Sequence, residues 1–171
     1  EYGRAVAASM GRTYQQVQIP TFAELIPALR ASRCDAVISG LYITDERATQ
    51  VAFSKPTWGS RFEVVMRTGD SAASLADLKG RCVATLKGSV SVDRLRAAGI
   101  TPRTYGTSDE VLAAVASSAC DAAFVESPTA GWKLTSPDYS GLAVVPALTQ
   151  PETYYVGVAV KQGDTALLDQ I

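Results

Sequence analysis

Two stretches of the chain, TFAELIPALRASRCDAVISG (Thr21–Gly40) and TSDEVLAAVASSACDAAFVE (Thr107–Glu126), repeat one pattern. Each opens with Thr-x-x-Glu, a capping box in which the Thr hydroxyl accepts a free backbone N–H and the Glu carboxylate accepts the N–H of the Thr. Apolar residues follow at helical spacing, Leu25, Ile26 and Leu29 in one copy and Val111, Leu112 and Val115 in the other. The spacing predicts two helices, each with one stripe against a sheet. Both copies pass through Cys-Asp-Ala into an apolar run, Ala36-Val37-Ile38 and Ala122-Ala123-Phe124-Val125, short enough for a buried parallel strand. Ligands of open α/β sheets sit beyond the carboxyl ends of strands, which puts Ser39-Gly40 and Glu126-Ser127 at two half-sites. Chance likeness of two ordinary βα units is the competing explanation. Cys-Asp-Ala at matched offsets behind matched Thr-x-x-Glu favours one unit used twice.

Working outward, Phe62–Met66 alternates like a strand, and Ser74–Asp77 opens a short helix stopped by Gly80. Arg81–Leu86 reads as another strand, followed by a tight loop at Lys87–Ser91 and a helix through Arg96 that Gly99 ends. Late in the chain, Leu142–Val145 and Tyr154–Val160 are strand candidates around a Pro-bounded loop, and Leu167 and Leu168 begin a final helix. The fold class is α/β.

The bulk numbers narrow the function. With 47% apolar and 19% charged residues the 171-residue chain is an ordinary globular sequence, long enough for one domain or two small ones. A formal charge of -1 and no basic run argue against nucleic acid. No stretch approaches the roughly 18 consecutive apolar residues of a membrane span, and no charged-then-apolar leader opens the chain, whose Glu1 does not look like a natural start. Cys34, Cys82 and Cys120 lack CxxC spacing and are odd in number, so they read as buried free thiols packing as small hydrophobes. The absence of histidine removes the commonest general base and catalytic metal ligand. No nucleophile elbow, GxGxxG or clustered acid pair follows a strand. The sequence points to binding rather than catalysis, with no cofactor and no metal.

Candidate binding residues each carry two readings. Thr44 is a plausible N-cap with Arg47 three positions on, where a guanidinium beyond a sheet end suits bidentate capture of a carboxylate; the plainer reading pairs Arg47 with Asp45 or Glu46. Gly88-Ser89-Val90 precedes a helix, whose N–H groups and dipole favour an anion; many such loops only turn the chain. Glu126 is a cleft carboxylate or an exposed strand-end charge. Phe22 packs inward or lies over a ligand as a flat apolar wall.

The stretch FAELIPALRASRCDAVISGLYITDERATQVAFSKP (Phe22–Pro56), its ITDER and FSKP segments above all, resembles the amino-acid-binding class of bacterial extracytoplasmic solute-binding proteins, family 3, that feed ABC importers. SLADLKGRCVATLKGS, the second Asp-Ala strand and YYVGVAVKQGD keep the family's order, so the similarity covers nearly the whole chain. The resemblance implies two Rossmann-like lobes joined by a two-stranded hinge, the type II periplasmic binding protein or Venus flytrap fold. Lobe 1 is then 1–56 and 158–171, lobe 2 is 61–153, and the hinge strands lie near 57–60 and 154–157.

By position, the resemblance has Arg47 gripping the α-carboxylate of an amino-acid-like ligand in the interlobe cleft, helped by the backbone at Gly40 and Tyr42 and by Ser89 and Val90. Glu126 holds the α-ammonium and Phe22 flanks the side chain. It also implies a monomer that delivers ligand to an ABC transporter permease, a periplasmic or extracytoplasmic address, a signal peptide in the precursor, and membrane association only through a lipid anchor or the permease. Three departures stand out. Glu126 replaces the usual Asp and reaches one methylene deeper, and Tyr42 stands where Ser or Thr usually donates a hydroxyl. The family's first strand, central in lobe 1, is expected before Glu1 and its closing helices after Ile171, which leaves lobe 1 incomplete at both ends, with unpaired backbone groups and exposed apolar faces. Two other functions use this scaffold: the outer domain of a sensor kinase or receptor, and a cyclohexadienyl dehydratase-like enzyme with Glu126 as general acid.

Overall fold

A computed structural model describes residues 1–171. In chain order, helix α1 (Tyr2–Ser9) is followed by an extended stretch without regular structure, then by helix α2 (Leu25–Arg30), strand β1 (Ala36–Val37), helix α3 (Asp45–Ala48) and strands β2 (Val51–Phe53), β3 (Trp58–Ser60) and β4 (Phe62–Arg67). Next come β5 (Val83–Leu86), α4 (Ser91–Ala97), β6 (Arg103–Tyr105), α5 (Ser108–Ala116), β7 (Ala122–Glu126) and α6 (Ser127–Lys133). Strands β8 (Leu142–Val144), β9 (Tyr154–Val156) and β10 (Ala159–Lys161) and helix α7 (Thr165–Gln170) complete the chain. The α/β class holds. The chain divides into two compact units, Glu1–Gly59 with Tyr154–Ile171, and Ser60–Thr153.

The second unit carries a five-stranded sheet of order β6-β5-β7-β4-β8. Strand β5 runs parallel to β6 and β7, and β4 runs antiparallel to β7 and β8. Val65, Ala84, Val111, Leu112, Val115 and Val125 form its core, and Phe62 stacks on Phe124 at 4.9 Å. Each fully buried Val, Leu or Phe side chain among these contributes about 1.5–3 kcal/mol relative to exposure. Here the Thr-x-x-Glu motif forms the expected capping box: Glu110 N–H donates to Thr107 Oγ1 at 3.2 Å, and Thr107 N–H donates to Glu110 Oε2 at 3.0 Å.

The first copy does not. Thr21 makes no side-chain cap bond, Phe22–Glu24 form a 3-10 turn, and α2 begins only at Leu25. Pro27 accounts for the difference. In a helix starting at Phe22 its missing N–H and its ring would fall opposite the carbonyl of Ala23, whereas in a helix starting at Leu25 it lies in the first turn, where no N–H is needed. Ala113 holds the matching position in the second copy and lets that helix run through.

The first unit is built on a three-stranded sheet of order β1-β10-β2, antiparallel throughout. The expected parallel setting of Ala36–Val37 is therefore corrected: its partner is the returning C-terminal strand, in the register Ala36↔Val160. The run Tyr154–Val160 likewise splits into β9, which pairs with β3, and β10. Leu29, Val37, Leu41, Val51 and Ala159 form the core, with Phe22, Leu25, Ile26 and Phe53 packed on it. Strand β1 is a sheet edge, and the extended stretch leaves Tyr14 and Val17 exposed. Tyr14, Val17 and residues Asp35–Ser39 line a cavity of about 410 Å³.

Of the three buried free thiols expected, only Cys34 is free, and it is half-buried rather than buried; Cys82 and Cys120 form a disulfide. Sheet pairing is the physical reason: β5 and β7 start side by side, with Val83 opposite Ala122, so the cysteines before them are neighbours. Burial, and then the adjacent Asp35 carboxylate, push the Cys34 thiol above its ordinary pKa, which disfavours the reactive thiolate. No helix is long and apolar enough to cross a membrane, and no cluster of His, Cys, Asp or Glu is placed to hold a metal ion.

Candidate functional site

In the first unit the chain leaves β1 and turns at Gly40, whose φ of +72° is natural only for glycine. The turn sends Leu41 and Tyr42 into the core at 1% and 2% exposure. Tyr42 forms an antiparallel bridge with Val156, Ile43 N–H donates to the Tyr155 carbonyl at 2.9 Å, and the Tyr42 ring lies 5.3 Å from that of Tyr154. Thr44 then caps α3, its Oγ1 accepting the N–H of Arg47 at 3.2 Å.

That cap fixes the backbone from which Arg47 projects. The side chain is only 7% exposed, its Nη1 donates to the Tyr42 carbonyl at 2.9 Å, and its guanidinium stands 5.7 Å from the Phe22 ring centroid. One guanidinium donor is thereby committed to orientation, and the aromatic face adds attraction for the cation. The reading of Arg47 as an ordinary surface arginine does not survive this burial. The structure brings Phe22, Tyr42 and Arg47 together.

In the second unit, β5 ends at Leu86, and Lys87 N–H donates to the Tyr105 carbonyl at 2.8 Å, which holds the chain end against β6. Gly88, at φ +78°, turns the chain. Ser89 is 4% exposed and donates to Glu126 Oε1 at 3.2 Å, while Val90 sits at the N-cap of α4. Glu126 is half-buried and ends β7 where α6 begins. A hydroxyl donating to a carboxylate is a charge-assisted bond of roughly 1.5–3 kcal/mol, so Ser89 holds the Glu126 carboxylate at this strand end. The second unit thus assembles Ser89, Val90 and Glu126.

Each unit presents one charge after or at the end of a strand that begins within a Cys-Asp-Ala sequence: Glu126 is the last residue of β7, and Arg47 lies in α3, ten residues past the end of β1. Neither set lines the 410 Å³ cavity of the first unit. Two participants went unread in the sequence, Thr85 and Ser91, both buried and hydrogen-bonded behind the Ser89 turn. The available signal was a hydroxyl inside the apolar run Cys82-Val83-Ala84-Thr85-Leu86.

Comparison with known proteins places the chain in a family. Residues 1–171 match the bacterial extracellular solute-binding proteins, family 3. An L-arginine-binding protein of Pseudomonas aeruginosa is 33% identical over 156 residues, covering 85% of this chain and 60% of the relative. The chain therefore spans about 60% of the length of such curated relatives. Among solved structures, an ancestral arginine-binding protein bound to glutamine superposes with a TM-score of 0.90 at 29% identity, over 99% of this chain and 75% of the other. The ancestral amino acid-binding protein AncCDT-1, a precursor of cyclohexadienyl dehydratase, gives 0.87 at 27% identity, over 99% and 73%.

Proposed function

Because the chain belongs to the family 3 bacterial extracellular solute-binding proteins, we propose that it serves to bind a small zwitterion, an amino acid or a close derivative, and to deliver it to an ABC transporter permease. The single observation that carries this reading is the buried Arg47 guanidinium, aimed by the Tyr42 carbonyl and backed by the Phe22 ring. It suits an α-carboxylate. Glu126, steadied by Ser89, suits an α-ammonium, and the backbone at Gly40, Tyr42 and Val90 supplies further donors and acceptors. We infer further that the two units serve as lobes with the β3–β9 strand pair as hinge, the ligand shifting populations toward any state in which it engages both charges.

No residue is assigned a catalytic role. The Cys82–Cys120 disulfide supports an extracytoplasmic address, where disulfides persist. The names of the relatives make L-arginine and L-glutamine the first ligands to try. Calorimetric titration of the purified chain with the twenty amino acids tests the proposal. At least one is expected to bind saturably, and Arg47→Ala is expected to weaken it tenfold or more, ~1.4 kcal/mol. A panel without heat of binding, or an Arg47→Ala protein that binds equally well, overturns it.

A further inference from the structure

Behind the Ser89 turn lies a buried polar cluster that no apolar core requires. Thr85 stands in β5, all four of whose residues are buried, and is itself 0% exposed; Ser91, at the start of α4, is 1% exposed. Thr85 Oγ1 lies 2.7 Å from the Phe124 carbonyl and 2.6 Å from Ser91 Oγ. A carbonyl only accepts and a hydroxyl has one proton. Thr85 therefore donates to Phe124, and Ser91 must donate to Thr85. On the other side of the same turn, Ser91 N–H donates to Ser89 Oγ at 3.4 Å, and Ser89 donates to Glu126 Oε1 at 3.2 Å.

The bonds form a ring. One arm runs from the Ser91 hydroxyl through Thr85 to the backbone of Phe124, and the other from the Ser91 amide through Ser89 to the side chain of Glu126. Phe124 and Glu126 lie two residues apart on β7, so both arms end on one strand and both begin on one residue of α4. The ring fixes the Ser89-Val90 turn against the end of β7 and sets where the Glu126 carboxylate stands. We infer that Thr85 is a positioning residue for the ammonium half of the ligand site, acting through Ser91, Ser89 and Glu126. This rests on the amino-acid-binding reading above.

Valine matches threonine in shape but neither donates nor accepts, so Thr85→Val cuts the ring while keeping the packing. The probes are L-arginine and 5-guanidinopentanoic acid, the same molecule without its α-amino group; where the panel ranks another amino acid first, that one and its des-amino acid replace them. Titration of wild type, Thr85→Val and Thr85→Ser is expected to show about a tenfold loss for the amino acid in Thr85→Val, restored in Thr85→Ser, with a clearly smaller loss for the des-amino probe. Ser91→Ala, which removes the donor to Thr85, should show the same selective loss and stands in should Thr85→Val fail to fold. Equal affinity for the amino acid in the variants and wild type overturns the inference, as does an equal loss for both probes, which a merely structural role would give. Failure of the wild type to bind any amino acid sinks the functional reading instead, so the two failures are distinguishable.

Discussion

Arg47 is buried through a local device that the sequence announced and a spatial one that it did not. The Thr44 cap, three residues before Arg47, was legible because Ser and Thr at an N-cap accept N–H groups of the first turn. That Phe22 would lie behind the guanidinium was not, since Phe22 and Arg47 approach only after the intervening 3-10 turn, helix and strand have folded. Glu63 offers a clean test of burial at this scale. It lies half-buried on β4, and desolvation holds its pKa above the ordinary glutamate value. A carboxyl with a folded pKa raised above the unfolded one costs stability wherever it is ionised. Glu63→Gln is therefore expected to raise the unfolding midpoint at neutral pH, with the gain fading as pH falls toward the unfolded value near 4.3. Denaturation of both proteins at pH 7 and pH 4 checks this, and a gain that grows on acidification would contradict it.

At the scale of elements, the repeated Thr-x-x-Glu shows how far a local motif reaches. Both copies carry the motif, yet Pro27 moves the first helix start and leaves Thr21 without a capping role, whereas Thr107 caps α5. Thr107→Ala is expected to cost about 1 kcal/mol, and Thr21→Ala to fall within about 0.5 kcal/mol of zero, as uncommitted surface changes do. Urea titration of the two variants compares them directly; equal costs would show that the first motif also caps. The cysteines teach the complementary lesson. Their spacing gave no hint of pairing, because β5 and β7 become neighbours only through the sheet. With a sequence separation of 38 residues, chain-entropy arguments give the cross-link about 4 kcal/mol. Cys82→Ala/Cys120→Ala is expected to lower the melting temperature of the second unit, while Cys34→Ser leaves that unit's transition in place. Unchanged melting of the double variant would contradict the assignment.

For the whole molecule, the α/β class was legible because helical periodicity alternates with short apolar runs along the chain. The family was legible in one stretch, Phe22–Pro56, where the bridge of Tyr42, the cap of Thr44 and the burial of Arg47 all fall. Strand order was not legible: the partner of β1 is β10, at the far end of the chain, and no local pattern encodes a pairing of such separation. The functional reading draws on the same scale, since the cation and the carboxylate belong to different compact units. It states that one ligand uses Arg47 for its carboxylate and Glu126 for its ammonium.

Cutting the ligand tests that statement most directly. Wild type, Arg47→Ala and Glu126→Gln are titrated with the amino acid, with the same molecule lacking its carboxylate, and with the same molecule lacking its α-amino group. Arg47→Ala is predicted to lose about tenfold or more, ~1.4 kcal/mol, only for the two probes that keep the carboxylate, and Glu126→Gln only for the two that keep the amine. Losses that do not depend on which end of the ligand has been removed would contradict it.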